Sequence, residues 1–286
     1  KVRYYRKHHG PWAAGALRLW LLPQFATQLA VEALKGLAGH RRALRRECAR
    51  FRPDVLHVNW WVPGGFAFWP GNASSVPVVL TSHGTDLFLL DRFPVARAVA
   101  GPIFRAAAQV TVISSPLVLR VAQLGVPAGR VTVLPMPVSA ERFAAPLHNL
   151  RDTGRLLFVG RLIERKGAEY AIRAVAALRR QGRAVRLTVI GDGPERTALV
   201  SLVEGLHLRD AVDLAGALPH DAVAEHYRTA SVLLMPAVTD WKGEQEGFGM
   251  VLVEAMASDL PVVATRSGGI PDVVTDGTTG LTTTDG

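Results

Sequence analysis

Glu246-Gly247-Phe248-Gly249-Met250-Val251-Leu252-Val253-Glu254 sets two carboxylates with seven residues between them and places two glycines just behind the first. The Gly-Phe-Gly turn runs into an apolar, alanine-bearing stretch that ends at Ala257 and reads as a buried helix. A helix opening there leaves its first backbone N–H groups unpaired and turned toward any anion in front of them. Glycine lets a ligand approach that backbone with no side chain in the way. Glu246 then stands at the mouth of a site as a hydroxyl acceptor. Glu254, about one turn into the helix, points to a second polar group of the same ligand. A ligand with an anionic middle and hydroxyls at both ends fits this layout, and a nucleotide-sugar is such a ligand.

Outward from that stretch, strand and helix patterns alternate. Short apolar runs predict strands at Arg155–Gly160, Leu187–Gly191, Val212–Ala215, Val232–Met235 and Val262–Thr265, with helices over 167–181, 195–205, 220–229 and 250–257. Pro194 and Pro271 sit where the first turn of a helix tolerates a missing N–H. Upstream, strands are expected at Asp54–Val58, Val76–Ser82, Val110–Ile113 and Val131–Leu134, and helices at Val95–Ala107 and Pro116–Leu124. Such alternation predicts parallel sheets wrapped by helices. Pro135-Met136-Pro137 and the polar stretch to Thr153 read as a linker, which divides the chain into domains 1–138 and 139–286. Arg161, Gly191-Asp192-Gly193, Gly216, Glu246 and Gly268-Gly269 each follow a predicted strand, so parallel strands bring them to one edge of a sheet.

The composition narrows the classes of function. At 286 residues, with 49% hydrophobic residues, the chain holds two ordinary domains with sizeable cores. Its formal charge of +9 implies attraction to polyanions: nucleic acid, anionic lipid or nucleotide. Cys48 is the single cysteine, which excludes an intrachain disulfide and suits a reducing cytoplasm. No signal peptide is visible, and the uncharged stretch Leu19–Val31 contains Pro23 and is too short to span a bilayer. Residues 11–50 read as two helices broken near Pro23 and Gly39. The second is followed by Arg52 and carries Arg41, Arg42, Arg45, Arg46 and Arg50: a solvated face, or a peripheral contact with anionic membrane. Nucleic acid fits less well, because no aromatic-interleaved module accompanies the arginines. Trp60, Trp61, Phe66, Phe68 and Trp69 read as core or as the lining of an acceptor cleft.

Three more stretches carry chemistry. Val159-Gly160-Arg161-Leu162-Ile163-Glu164-Arg165-Lys166-Gly167 puts two cations five residues apart in a strand-to-helix loop, either as surface charge or as ligands of a diphosphate. Ser82-His83-Gly84-Thr85-Asp86 is a polar cluster at the end of a buried strand. It lacks the Gly-x-Ser-x-Gly turn a serine nucleophile would need. No Asp-x-Asp pair and no zinc or calcium spacing occurs, and His207, His220 and His226 read as ordinary histidines.

Taken in order, these stretches resemble the retaining, nucleotide-sugar-dependent glycosyltransferases of GT-B fold, glycosyltransferase family 4. Glu246 to Glu254 is similar to their Glu-x7-Glu signature, and Gly160-Arg161 to Lys166-Gly167 to their Gly-Arg-x4-Lys-Gly pattern. Ser82-His83-Gly84-Thr85-Asp86 resembles their His-Gly-x-Asp element, and Gly268-Gly269-Ile270-Pro271-Asp272 their Gly-Gly-x-Pro-Glu, with Asp where Glu is usual. Asp259 stands where the family commonly has Gly. The family's first strand and Gly-rich loop have no counterpart before Lys1, and its final helices none after Gly286, so a fragment is expected.

The resemblance implies two doubly wound, Rossmann-like parallel-sheet domains facing across a cleft, with the acceptor on the first and the donor on the second. It implies sugar transfer from a UDP-, GDP- or ADP-sugar, with retention and without a metal or further cofactor. Glu246 would hold donor-sugar hydroxyls, Glu254 the ribose, and Arg161 with Lys166 the diphosphate. The turn Gly247, Phe248, Gly249 and Met250 would offer amides, Leu218 would lie near the base, and His83 would face the anomeric centre. A glycan or lipid-linked acceptor in bacterial polysaccharide or envelope synthesis is expected, in the cytoplasm or at the inner face of the membrane, with no nucleic acid. The alternatives are an epimerase-like relative acting without an acceptor and a non-catalytic basic membrane or nucleic-acid binding protein. A glycosidase built on the two glutamates would have no use for the diphosphate cations.

Overall fold

The computed structural model describes residues 39, 41–68, 76–144 and 153–284. The opening Lys1-Val2-Arg3-Tyr4-Tyr5, which reads in sequence as a strand already under way, the helix expected before Gly39, and Trp69 lie outside them. Helix α1 covers residues 41–51, with Arg42, Arg45, Arg46 and Arg50 exposed and Leu44 packed on the first core.

The first sheet runs β1 (Leu56–Asn59), β2 (Val78–Ser82), β3 (Gln109–Val112) and β4 (Val131–Val133) side by side in that order, every pair parallel. Between them come a short α2 (Phe66–Phe68), then α3 (Thr85–Arg92), α4 (Pro94–Ala106) and α5 (Pro116–Ala122). Strand β1 begins two residues later than expected, because pairing to β2 starts at Leu56 opposite Val78 while Val55 is exposed. The aromatic stretch after β1 runs through a kinked helical turn, Trp61–Gly65, into α2. Trp61 and Phe68 are buried, and Trp60 is partly exposed. Helix α3 was not expected: it begins at Thr85, inside what reads in sequence as a polar cluster.

The second sheet uses α6 (Ala140–Phe143), β5 (Arg155–Val159), α7 (Ala168–Arg180), β6 (Arg186–Ile190), α8 (Arg196–Gly205), β7 (Val212–Gly216), α9 (His220–Thr229), β8 (Val232–Met235), α10 (Met250–Ala257), β9 (Val262–Thr265) and β10 (Leu281–Thr283). All its strand pairs are parallel, in the spatial order β7-β6-β5-β8-β9-β10. Strands buried on both faces read as nearly unbroken apolar runs. In β5, Leu156 and Phe158 enter the core under α7 and α8, and Leu157 enters the opposite core with α9 and α10. Helix α7 buries Ala168, Ala171, Ile172 and Val175, the spacing of a single helical face. Within the expected linker, α6 places Phe143 in the second domain's core, edge-on to Tyr227.

Helix α10 belongs to both halves of the molecule. Leu252 and Ala255 are buried in the second domain's core, while Met250 and Val253 pack on the core of the first. Its apolar character all round follows from having no solvent face. No helix among the described residues is long and apolar enough to cross a membrane.

Candidate functional site

The chain starts the second sheet at β5, builds outward to β7, then returns to the other side of β5 with β8. That reversal is a topological switch point, where the loops leaving β5 and β8 diverge and open a crevice beyond the strands' carboxyl ends. The β5 loop carries Arg161, Arg165 and Lys166; the β8 loop carries Glu244, Gln245, Glu246 and the Gly247-Phe248-Gly249 turn. The topology alone therefore brings the two motifs together. Two ion pairs bridge the crevice: Arg165 Nη1 to Glu244 Oε2 at 2.7 Å, and Lys166 Nζ to Glu246 Oε2 at 2.6 Å. Both are largely withdrawn from solvent, so each cation is held by a charge-assisted hydrogen bond of the strong kind.

A cavity of about 270 Å³ opens over these pairs. From the second domain it is lined by Arg161, Lys166, Glu246 and the turn through Met250, and from the first by His83, Thr85 and Met136. Arg161 is exposed and, among the described residues, has no carboxylate partner. Helix α10 starts at Met250 behind Gly249 as its N-cap, and the amides of Phe248, Gly249 and Met250 have no backbone acceptor among the described residues. A cation without a counter-ion among the described residues and a helix start with spare N–H groups form a cradle for phosphate oxygens. Glu246 supplies the carboxylate beside it for hydroxyl groups.

The first domain presents His83 across the cleft. Its backbone N–H donates to Asp86 Oδ1 at 3.1 Å, and the Ser82 hydroxyl donates to the same oxygen at 2.8 Å. Asp86 is buried and its Oδ2 has no hydrogen-bond partner among the described residues. Burial pushes its carboxyl above the usual range, against the two hydrogen bonds, which pull it down. The imidazole Nε2 of His83 lies 2.9 Å from Asn59 Oδ1, and Nδ1 lies 3.3 Å from the Met136 sulfur.

The Gly-Phe-Gly turn also joins the domains. The Phe248 ring is buried within the first domain's core cluster, although its backbone belongs to the second. Asp272 Oδ2 accepts the Ser115 N–H at the start of α5, again across the cleft. Gly269 lies so close that an added Cβ would overlap the Gly247 carbonyl oxygen and approach Ser114 Cβ to 2.8 Å. Glycine is required there by contact, not merely by a turn.

Of the residues expected at the site, His83, Arg161, Lys166, Glu246, Gly247, Phe248, Gly249 and Met250 share this cavity. Glu254 does not line it. It is buried one turn down α10, where the Tyr227 hydroxyl donates to its Oε2 at 2.8 Å. Burial first, and then the Glu254 carboxylate, raise the Tyr227 phenol far above its ordinary value, so it stays a donor. Leu218 is half-buried against the second domain's core and lines no part of the cavity. Sequence reasoning missed Arg165, Glu244, Asn59 and Tyr227. The pairing of Arg165-Lys166 with Glu244 and Glu246 left one trace, two neighbouring cations against two carboxylates two residues apart. Tyr227 left none, since it reaches Glu254 from another helix.

Residues 22–142 match the family described as Glycosyltransferase Family 4, and residues 141–286 match Glycosyl transferases group 1. The amylovoran biosynthesis glycosyltransferase AmsK of Erwinia amylovora is 35% identical over 152 residues, which is 53% of this chain. This chain spans 37% of that relative's length. The alpha-D-kanosaminyltransferase of Streptomyces kanamyceticus is 31% identical over 296 residues, covering 95% of this chain and 69% of the relative. The crystal structure of Anabaena Alr3699/HepE in complex with UDP and glucose superposes with a TM-score of 0.71 at 21% identity, over 87% of this chain and 68% of that one. Two facing parallel-sheet domains with that likeness are the GT-B fold, and with both halves matched the chain belongs to the group 1 glycosyl transferases.

Proposed function

We propose that the protein transfers a sugar from a nucleotide-diphosphate sugar to a glycan or lipid-linked acceptor, with retention of the anomeric configuration and without a metal ion. One observation carries the reading. Arg161, Lys166, Glu246 and the start of α10 share one cavity with His83, which faces them from the other domain. In this reading the donor's diphosphate lies against Arg161, Lys166 and the amides of Phe248, Gly249 and Met250. Its sugar lies toward Glu246 and His83, while Glu254, buried under Tyr227, stands outside the cavity. Charge that develops on the departing nucleoside diphosphate meets fixed cations and N–H dipoles, an electrostatic stabilisation that needs no reorganisation. That provision is what a glycosidase lacks, and burial of Glu254 under Tyr227 removes the second carboxylate such an enzyme would use.

The likeness to a glycosyltransferase of amylovoran biosynthesis supports a role in polysaccharide or envelope synthesis. The exposed Arg42, Arg45, Arg46 and Arg50 support contact with an anionic membrane at its cytoplasmic face. Thermal-shift screening against UDP-glucose, GDP-mannose and ADP-glucose tests the donor class directly, and a rise in melting temperature with one of them is expected. NMR of the product's anomeric proton then reads retention, and turnover that persists in EDTA reads independence from metal. Conversion of the donor with no acceptor present would favour an epimerase-like relative. A salt-sensitive shift of DNA with no nucleotide-sugar binding would favour a non-catalytic basic protein.

A further inference from the structure

The carboxyl end of β1 grips the His83 loop at two points. Asn59, the last residue of β1, offers its Oδ1 to His83 Nε2 at 2.9 Å. Trp61, two residues on, is buried and donates its indole N–H to the Asp86 carbonyl oxygen at 2.7 Å. Between them Trp60 takes φ +67, in the left-handed region that a bulky residue rarely enters, with its N–H tied to the Thr81 carbonyl. A strained residue persists only where its surroundings fix it, and such residues gather at functional sites. Here the bend at Trp60 lets one strand end reach both the ring of His83 and the backbone of Asp86.

We propose that Asn59 is the positioning residue of His83, holding the imidazole by its Nε2–H so that the ring keeps one orientation and one tautomer in the cavity. An amide oxygen accepts and cannot donate, so the contact requires the proton on Nε2. The other ring nitrogen lies against the Met136 sulfur, only a weak acceptor, which leaves Asn59 as the stronger constraint on the ring. Asp86 fixes the backbone of His83 and Asn59 fixes its side chain; neither alone determines both. At metal sites, residues that orient an imidazole through its second nitrogen commonly matter by one to two orders of magnitude, and the effect expected of Asn59 is set by that analogy.

The test has a spectroscopic arm and a kinetic arm, and only the second rests on the transferase reading. Nitrogen-15 NMR of the His83 ring in the chain without donor, assigned against His83→Gln, should show the Nε2–H tautomer in the parent and in Asn59→Asp. In Asn59→Leu the Nε2 proton should exchange rapidly and the tautomers mix. An Nδ1–H tautomer in the parent, or ring signals unchanged in Asn59→Leu, would overturn the proposal whatever reaction the protein performs. With whichever of UDP-glucose, GDP-mannose or ADP-glucose is turned over, Asn59→Leu should lower kcat about tenfold or more, and Asn59→Asp should recover most of it. Donor KM should move less than about threefold in both variants. Unchanged kcat, or a raised KM at constant kcat, would place Asn59 outside this role. Melting temperatures of the two variants separate loss of position from loss of fold, since Asn59 is exposed and neither change opens the core.

Discussion

Arg161 and Lys166 sit five residues apart in one loop but in different electrostatic circumstances. Lys166 already has Glu246 at 2.6 Å, so it both orients that carboxylate and contributes charge. Arg161 is exposed, with its fork available to a planar, bidentate acceptor. Replacing either by alanine should lower turnover by roughly 10² or more, as for loss of one donor to a developing anion. Steady-state kinetics check this, and full activity in either variant would remove that residue from the mechanism. Lys166→Ala should also raise donor KM, because it frees Glu246 from its partner. At the other wall, burial raises the Asp86 carboxyl above its ordinary 3.8, so ionising it in the folded protein carries a cost. Between 3.8 and the raised value the folded state holds more protons than the unfolded one, so stability falls as pH rises through that window. Asp86→Asn keeps an acceptor for Ser82 and His83 and removes the charge. Its melting temperature relative to the parent should therefore be highest near neutral pH and converge as pH falls toward 3.8. A difference that grew on acidification would contradict this account. The carboxylates and cations of the motifs were legible in sequence because fixed spacing places them after strand ends. The contacts of Asn59 and Tyr227 were not, because each depends on a side chain from an element remote in sequence.

Elements place these residues through a few close backbone approaches. Gly167 ends the Lys166 turn at φ +71 and caps α7, and an added Cβ there would overlap the Pro236 carbonyl oxygen at the end of β8. Glycine at this point lets the loops after β5 and β8 lie together, which in turn allows the Lys166–Glu246 pair. Gly167→Ala should destabilise by more than about 2 kcal/mol, read by urea denaturation, because strain and overlap act together. Gly182, at φ +77 with open space around it, serves as the control and should lose far less. Strand positions were legible from apolar runs, to within two residues at their boundaries, because the central strands are buried on both faces; the exposed edge strand β10 was not expected. Helix α3 was not, since Thr85 and Asp86 read as site polarity while also opening a helix. Asp259, where Gly is common in the family, takes φ +53 just after α10. The preference for glycine has its reason in that backbone, and aspartate is among the residues that tolerate it.

At the scale of the whole molecule, the turn proposed to cradle the donor is also the bolt between the domains. Phe248 fills the first domain's core while its own backbone borders the cavity, and Asp272 caps α5 from across the cleft. The domain contact and the proposed donor site therefore share the same residues. Removing a buried phenyl ring typically costs about 3–5 kcal/mol, and here the loss falls on the domain contact. Phe248→Ala should enlarge the radius of gyration in small-angle scattering and weaken donor binding, whereas an unchanged radius would show that other contacts hold the cleft. The central claim is that cations from the loop after β5 and the helix start after β8 hold a single diphosphate. Isothermal titration calorimetry with UDP-glucose, GDP-mannose and ADP-glucose, on the parent and on the Arg161→Ala, Lys166→Ala double variant, tests it most directly. The account predicts saturable binding of at least one donor by the parent and a loss of affinity of tenfold or more in the folded double variant. Equal affinity in both, or no binding of any of the three by the parent, would contradict it.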